Sequence, residues 1–133
     1  MRAGIPVFVA GNIGTARCDV VPGLGPDRWV VAELSSFQLE TIETFRAEVA
    51  CLLNITQNHL DRYVGLPDYM QAKARLFLNQ EPGDWAVLNA DDPLVLEAAA
   101  SARARPLLFS RCRPVEEGAF LDKDRLVLRR AGE

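Results

Sequence analysis

Three side chains of this sequence could meet at one divalent cation: Glu33, His59 and Lys73. His59 is the sole histidine. Glu33 stands near the end of the run W-V-V-A-E-L, where a carboxylate is costly unless paired or bound to a cation. His59 lies in T-Q-N-H-L-D-R, which brings an imidazole, a carboxylate and a guanidinium close together. A lone histidine is otherwise structural or simply exposed. Lys73 shares a helical face with Tyr69, Ala72, Leu76 and Phe77. A lysine at the edge of such a stripe can snorkel outward. Held in a site, it is pushed toward the neutral amine by burial and nearby cations. A neutral amine can take up carbon dioxide and become a carbamate, an anionic oxygen ligand. With Glu33 and His59, that would suit magnesium with phosphate.

The elements that must position these residues read as alternating strands and helices. Strands are expected over Pro6–Ala10, Trp29–Leu34, Glu48–Ile55, Asp84–Asn89 and Arg105–Ser110. A β-hairpin is expected over Gly118–Arg130, turning around Asp122–Asp124. Thr15-Ala16-Arg17 can open a helix, with Gly14 or Thr15 as its cap. Helices are expected over Phe37–Phe45, capped by Ser35 or Ser36, from Leu66 to Asn79 or Gln80, and over Leu94–Ala104. The alternation implies an α/β domain with a mainly parallel sheet flanked by helices and a small C-terminal hairpin. Strands apolar on both faces favour such a covered sheet.

The polar groups cluster after the strands: Asn12, then Glu33 with Ser35 and Ser36, then Asn58, His59 and Asp61, then Asn89, Asp91 and Asp92. Open α/β sheets bind ligands at these carboxyl ends. Each group also has an ordinary structural role. Asn12 can sit in a plain strand-to-helix turn, the serines can cap, and Asp91 or Asp92 can cap the next helix.

The 133 residues are enough for one domain with a real core, and 49% of them are hydrophobic, which argues against disorder. Fifteen basic residues against eighteen acidic ones, a net charge of -3, leave no nucleic-acid footprint. No apolar run approaches the roughly 20 residues of a membrane helix, and the N-terminus is a poor signal peptide. Cys18, Cys51 and Cys112 show neither metal-ligand spacing nor a disulfide framework, so a reducing cytosol is expected.

The sequence resembles the central domain of the Mur ligases over about positions 4 to 130. The resemblance rests on G-N-I-G at 11–14, E-L-S-S-F-Q-L-E at 33–40, L-N-I-T at 53–56, H-L-D-R at 59–62, Y-M-Q-A-K at 69–73 and L-N-A-D-D at 88–92. S-S-F-Q-L-E points to the D-glutamate-adding branch. The resemblance implies an incomplete P-loop NTPase-like fold. It also implies an ATP-dependent ligase of the bacterial cytoplasm that builds peptidoglycan precursor. ATP, as co-substrate, would phosphorylate the carboxylate of UDP-N-acetylmuramoyl-L-alanine, and the amine of D-glutamate would attack the acyl phosphate.

Two magnesium ions would offset the phosphate charge. Glu33 would hold the ion on the ATP phosphates; His59 and a carbamylated Lys73 would serve the second. Asn12, Ser35 and Ser36 would lie by the muramoyl substrate, and Asn89 near the nucleotide.

The departures shape what residues 1–133 can do alone. No G-x-x-G-K-[ST] phosphate-binding loop is present, and neither the N-terminal uridine-binding domain nor the C-terminal D-glutamate-binding domain is included. Asn58 stands where the family usually has aspartate. The expectation is therefore a partial central domain without turnover of its own. The rival readings are a non-catalytic remnant that binds substrate or a partner, and a sister ligase of the Mur or folylpolyglutamate type.

Overall fold

The structure is a computed structural model that describes residues 4, 6–13, 19, 21–25, 27–56 and 62–130. Two sheets carry the fold. Strands β1 (Val7–Gly11) and β2 (Trp29–Glu33) pair in parallel as a small sheet. Strands β3 (Val49–Leu52), β4 (Trp85–Asn89), β5 (Arg105–Ser110), β6 (Gly118–Asp122) and β7 (Arg125–Arg129) form a larger one in sequence order. Its pairs are parallel except β6–β7, the antiparallel hairpin. The expected α/β class with a mainly parallel sheet is what the chain adopts, but in two pieces: among the described residues, no ladder joins β2 to β3.

Two glycines sit where a side chain would not fit. Gly11 (φ 121°) ends β1 with its backbone against the Glu33 carbonyl, and a Cβ there would collide with that oxygen. Gly118 (φ 133°) opens β6 in the same relation to the Leu108 carbonyl. Both backbones lie in the left-handed region that favours glycine.

The helices are shorter than their sequence patterns. Helix α1 spans Ser36–Glu40, α2 spans Leu66–Ala74 and runs on as a 3-10 turn over Arg75–Phe77, and α3 spans Pro93–Ala98. Tertiary bonds tie down the end of α1 and the turn after it. The Arg75 guanidinium donates to Leu39 O at 2.9 Å and Ile42 O at 2.6 Å. The same stretch satisfies the irregular connection that follows. Asn79 donates to Glu43 O and Phe45 O, and Gln80 donates to Ala47 O and Trp85 O. Alanine-rich residues 99–104 turn instead of extending α3, despite their helix propensity, because the chain must re-enter the sheet at Arg105.

The core lies between the helices and one face of the large sheet. Ala50, Leu52, Ala86 and Leu88 meet Tyr69 and Phe77 from the α2 segment and Val95 and Ala98 from α3. Phe120, Val115 and Ala90 form a smaller cluster beside Leu108. Strand alternation puts Val49, Cys51, Val87, Leu121, Leu126 and Leu128 on the opposite face. Among the described residues, no helix covers that face, and Leu126 and Leu128 are 73% and 75% exposed. No described helix is long and apolar enough to cross a membrane.

Candidate functional site

The site begins where β1 and β2 end side by side. Gly11 pairs with Glu33 in the ladder, and the Asn12 N–H donates to Glu33 O at 2.8 Å. Asn12 and Glu33 are both exposed at this edge. Glu33 thus closes an apolar strand with its carboxylate in solvent, which removes the burial cost that its sequence position suggested.

Lys73 stands in the last turn of α2, within electrostatic range of Glu33. Its ammonium feels the Glu33 carboxylate through space, although the two are forty positions apart. Burial pulls the Lys73 pKa below the usual lysine range, and the Glu33 charge partly offsets this. Its Nζ lies 5.7 Å from the centre of the Tyr69 ring. Lys73 is therefore half-buried among α2 neighbours and is not a freely snorkelling side chain. The expected stripe forms: Tyr69, Ala72 and Phe77 are buried, with Leu76 and Lys73 at its margin.

Both serines have structural partners. Ser35 caps α1 in a capping box: its hydroxyl accepts the Gln38 N–H at 3.3 Å, and Gln38 Oε1 accepts the Ser35 N–H at 3.0 Å. Ser36 is 2% exposed, and its hydroxyl hydrogen-bonds Tyr63.

Asn89 is likewise engaged with the chain. Its Nδ2 donates to Leu53 O at 3.0 Å, and its Oδ1 accepts the Asp91 N–H at 2.9 Å. Asp91 accepts the Ser110 hydroxyl and the Arg111 N–H, both at 2.6 Å, which hold its pKa below the usual carboxylate range. Asp92 takes the structural role open to it and caps α3.

His59, Asn58 and Asp61 lie outside the described residues, as do Gly14 and the helix start at Thr15-Ala16-Arg17. Among the described residues, no group of three or more His, Cys, Asp and Glu side chains converges on a metal position. The candidate donors among the described residues are the Glu33 carboxylate and the Lys73 amine, which lie within electrostatic range of each other. An ammonium cannot ligate a cation, but a carbamate on the same nitrogen can, and burial of Lys73 favours the neutral amine that must form first. With a carbamate on Lys73 the pair would suit a hard divalent ion in its donor chemistry.

A second cluster beside this pair was not read from the sequence. Glu40 accepts the Arg62 guanidinium at 3.0 Å and, through its other oxygen, the Tyr63 hydroxyl. These two bonds, the Tyr63 one foremost, hold the Glu40 pKa down, while burial and the same bond push Tyr63 up. Phe37 stacks on Tyr63, with ring centres 6.1 Å apart, and lies under Arg62 at 4.5 Å. Phe37 and Glu40 share a face of α1, and their partners lie more than twenty positions on, beyond any local pattern.

These features sit on a recognisable frame. Residues 27–124 match the family model for the Mur ligase middle domain, and the chain belongs to that family. It is similar to UDP-N-acetylmuramoylalanine--D-glutamate ligase of Pelotomaculum thermopropionicum, with 48% identity over 125 residues, 94% of this chain and 28% of that protein. The ligase of the same name from Solibacter usitatus is 50% identical over 127 residues, 96% of this chain and 29% of that protein. The chain thus spans less than a third of the length of these relatives. In fold alone it is similar to MurF from Acinetobacter baumannii, with a TM-score of 0.58 at 15% identity, covering 88% of this chain and 32% of that one.

Proposed function

We propose that this chain is the metal-facing part of an ATP-dependent, amide-bond-forming ligase. In that ligase D-glutamate is joined to UDP-N-acetylmuramoyl-L-alanine in the bacterial cytoplasm. The observation that carries the reading is a half-buried Lys73 within electrostatic range of the Glu33 carboxylate at the end of β2. The names of the relatives supply the substrate class.

In this reading Lys73 acts first on carbon dioxide. The neutral amine attacks the carbon, an N–C bond forms, one N–H proton leaves to solvent, and an anionic carbamate results. Glu33, the Lys73 carbamate and His59 would hold magnesium, which supplies charge compensation for a transferring phosphoryl group. Asn12, exposed beside Glu33, presents an amide to the muramoyl substrate. Ser35 and Ser36 contribute by fixing α1 rather than through free hydroxyls. Asn89 acts near the nucleotide by holding the end of β3.

Residues 1–133 include no G-x-x-G-K-[ST] segment. Without its backbone N–H cradle and lysine, this stretch by itself gives no turnover. Release of phosphate that depends on D-glutamate from the pure chain would overturn that statement.

The test of the site uses the chain in 13C-labelled bicarbonate. A carbamate carbon signal is expected that disappears in Lys73→Met and survives in Lys123→Arg. Magnesium should strengthen it with Glu33 intact and not in Glu33→Gln. Absence of a Lys73-dependent signal would sink the proposal.

A further inference from the structure

The Glu40 cluster connects physically to Lys73 through aromatic rings. Glu40 fixes the Tyr63 hydroxyl and the Arg62 guanidinium, and Phe37 packs against both of their side chains. Tyr63 meets Tyr69 edge-on, with ring centres 5.3 Å apart and planes at 62°. Tyr69 in turn is the ring beside Lys73 Nζ. The cluster thus ties α1, which follows Glu33 directly, to α2, which carries Lys73.

We propose that Glu40 is a positioning residue that sets the place of the Lys73 amine by holding Tyr63 against Tyr69. Two anchored donors on one carboxylate fix the Tyr63 ring at both its hydroxyl and its face. An edge-on ring pair has a preferred geometry, so a fixed Tyr63 restricts where the Tyr69 ring can lie. A half-buried lysine takes its position from the surface it packs on. The inference rests on the reading of Lys73 as the site lysine, but its physical content can be tested apart from that reading.

The sequence makes the test direct, because Lys73 and Lys123 are its only lysines. Lys123 is exposed in the β6–β7 turn and serves as an internal reference. In the chain labelled with 13C at lysine, the ε-methylene signals of Lys73 are expected upfield of those of Lys123, displaced by the Tyr69 ring. Glu40→Gln and Tyr63→Phe should each remove at least half of that displacement and leave Lys123 unmoved, and Glu40→Asp should restore part of it.

A change that only weakened the fold would lower the folded fraction without moving the native Lys73 signal. Unchanged Lys73 signals in both variants, with native amide spectra, would overturn the proposal. If Glu40→Gln does not fold, Tyr63→Phe decides by the same criterion, since it removes one hydroxyl only. The bicarbonate experiment on the unsubstituted chain separates the two ideas. A shift that responds to Glu40 without a carbamate signal refutes the metal-site reading alone, and the reverse pattern refutes the positioning role alone.

Discussion

Asp92 and Ile55 are joined by a hydrogen bond that links the start of α3 to the segment that follows β3. One Asp92 oxygen accepts the Leu94 N–H at 3.0 Å and the Val95 N–H at 3.4 Å, while the other accepts the Ile55 N–H at 2.9 Å. Asn89 grips Leu53 two residues earlier. The polar cluster after β4 therefore positions the segment leading toward His59.

Asp92→Ala is expected to destabilise the chain by about 2 to 4 kcal/mol, the sum of a lost cap and an orphaned N–H. Asp92→Asn should cost about half as much, since its amide oxygen can still cap. Urea unfolding measures both. A loss below about 0.5 kcal/mol for alanine would show that the carboxylate does not hold Ile55.

Asp84 gives the chain an acid-sensitive joint. Its buried carboxylate accepts the Arg46 guanidinium at 2.8 and 2.9 Å and the Glu81 N–H at 2.7 Å. These bonds, Arg46 foremost, hold its folded pKa below the usual carboxylate range. The unfolded chain then binds a proton before the folded one does. The contribution is fully present above the unfolded pKa and is lost as pH falls through the folded pKa. Asp84→Asn should therefore be less stable than the parent at pH 7, with the gap narrowing below pH 4. Parallel curves from pH 7 to pH 3 would contradict this.

Gly11→Ala should loosen the small sheet selectively. The left-handed backbone costs roughly 1 to 3 kcal/mol for alanine, and the new Cβ meets the Glu33 carbonyl. Amide hydrogen exchange should accelerate across Val7–Gly11 and Trp29–Glu33 while β4 and β5 keep their protection. Uniform acceleration across both sheets would show that they unfold as one unit.

The face of the large sheet that no described helix covers should bind an apolar dye. Replacing Leu126 and Leu128 together by threonine should lower ANS fluorescence several-fold and change stability by no more than about 0.5 kcal/mol per site, because both side chains are exposed. Unchanged dye binding would place the apolar surface elsewhere.

Strands were the most legible part of the fold. Arg105–Ser110 emerged at its expected bounds, and β1, β2 and β4 within one residue of theirs. Expected strand Glu48–Ile55 shortened to Val49–Leu52, because only those four residues find ladder partners on β4. Helix lengths were less legible, since propensity said nothing of the Arg75 guanidinium that would take the carbonyls of Leu39 and Ile42. The separation into two sheets left no trace in alternation, which reports a strand's faces and not its neighbours.

At the site, a carboxylate at a strand end singled out Glu33 and an apolar helical stripe singled out Lys73, with His59 as the expected third member. The same reasoning left Ser36, Asn89 and Asp92 undecided between ligand and scaffold. Their bonds run to Tyr63, Leu53 and Ile55, more than twenty-five positions away, and no local pattern records such pairs.

The bonds from Arg75, Asn79 and Gln80 to the carbonyls of residues 39–47 have a consequence for cooperativity. With no ladder between the sheets among the described residues, the part of the chain bearing Glu33 and the part bearing Lys73 communicate through side chains and helix packing. The fraction of molecules with an assembled site is then the product of two probabilities: that each half is folded, and that the halves are seated on each other. A substitution along this seam can empty the site while most of the secondary structure survives. Melting followed by backbone signal alone would overstate how long Glu33 and Lys73 stay together.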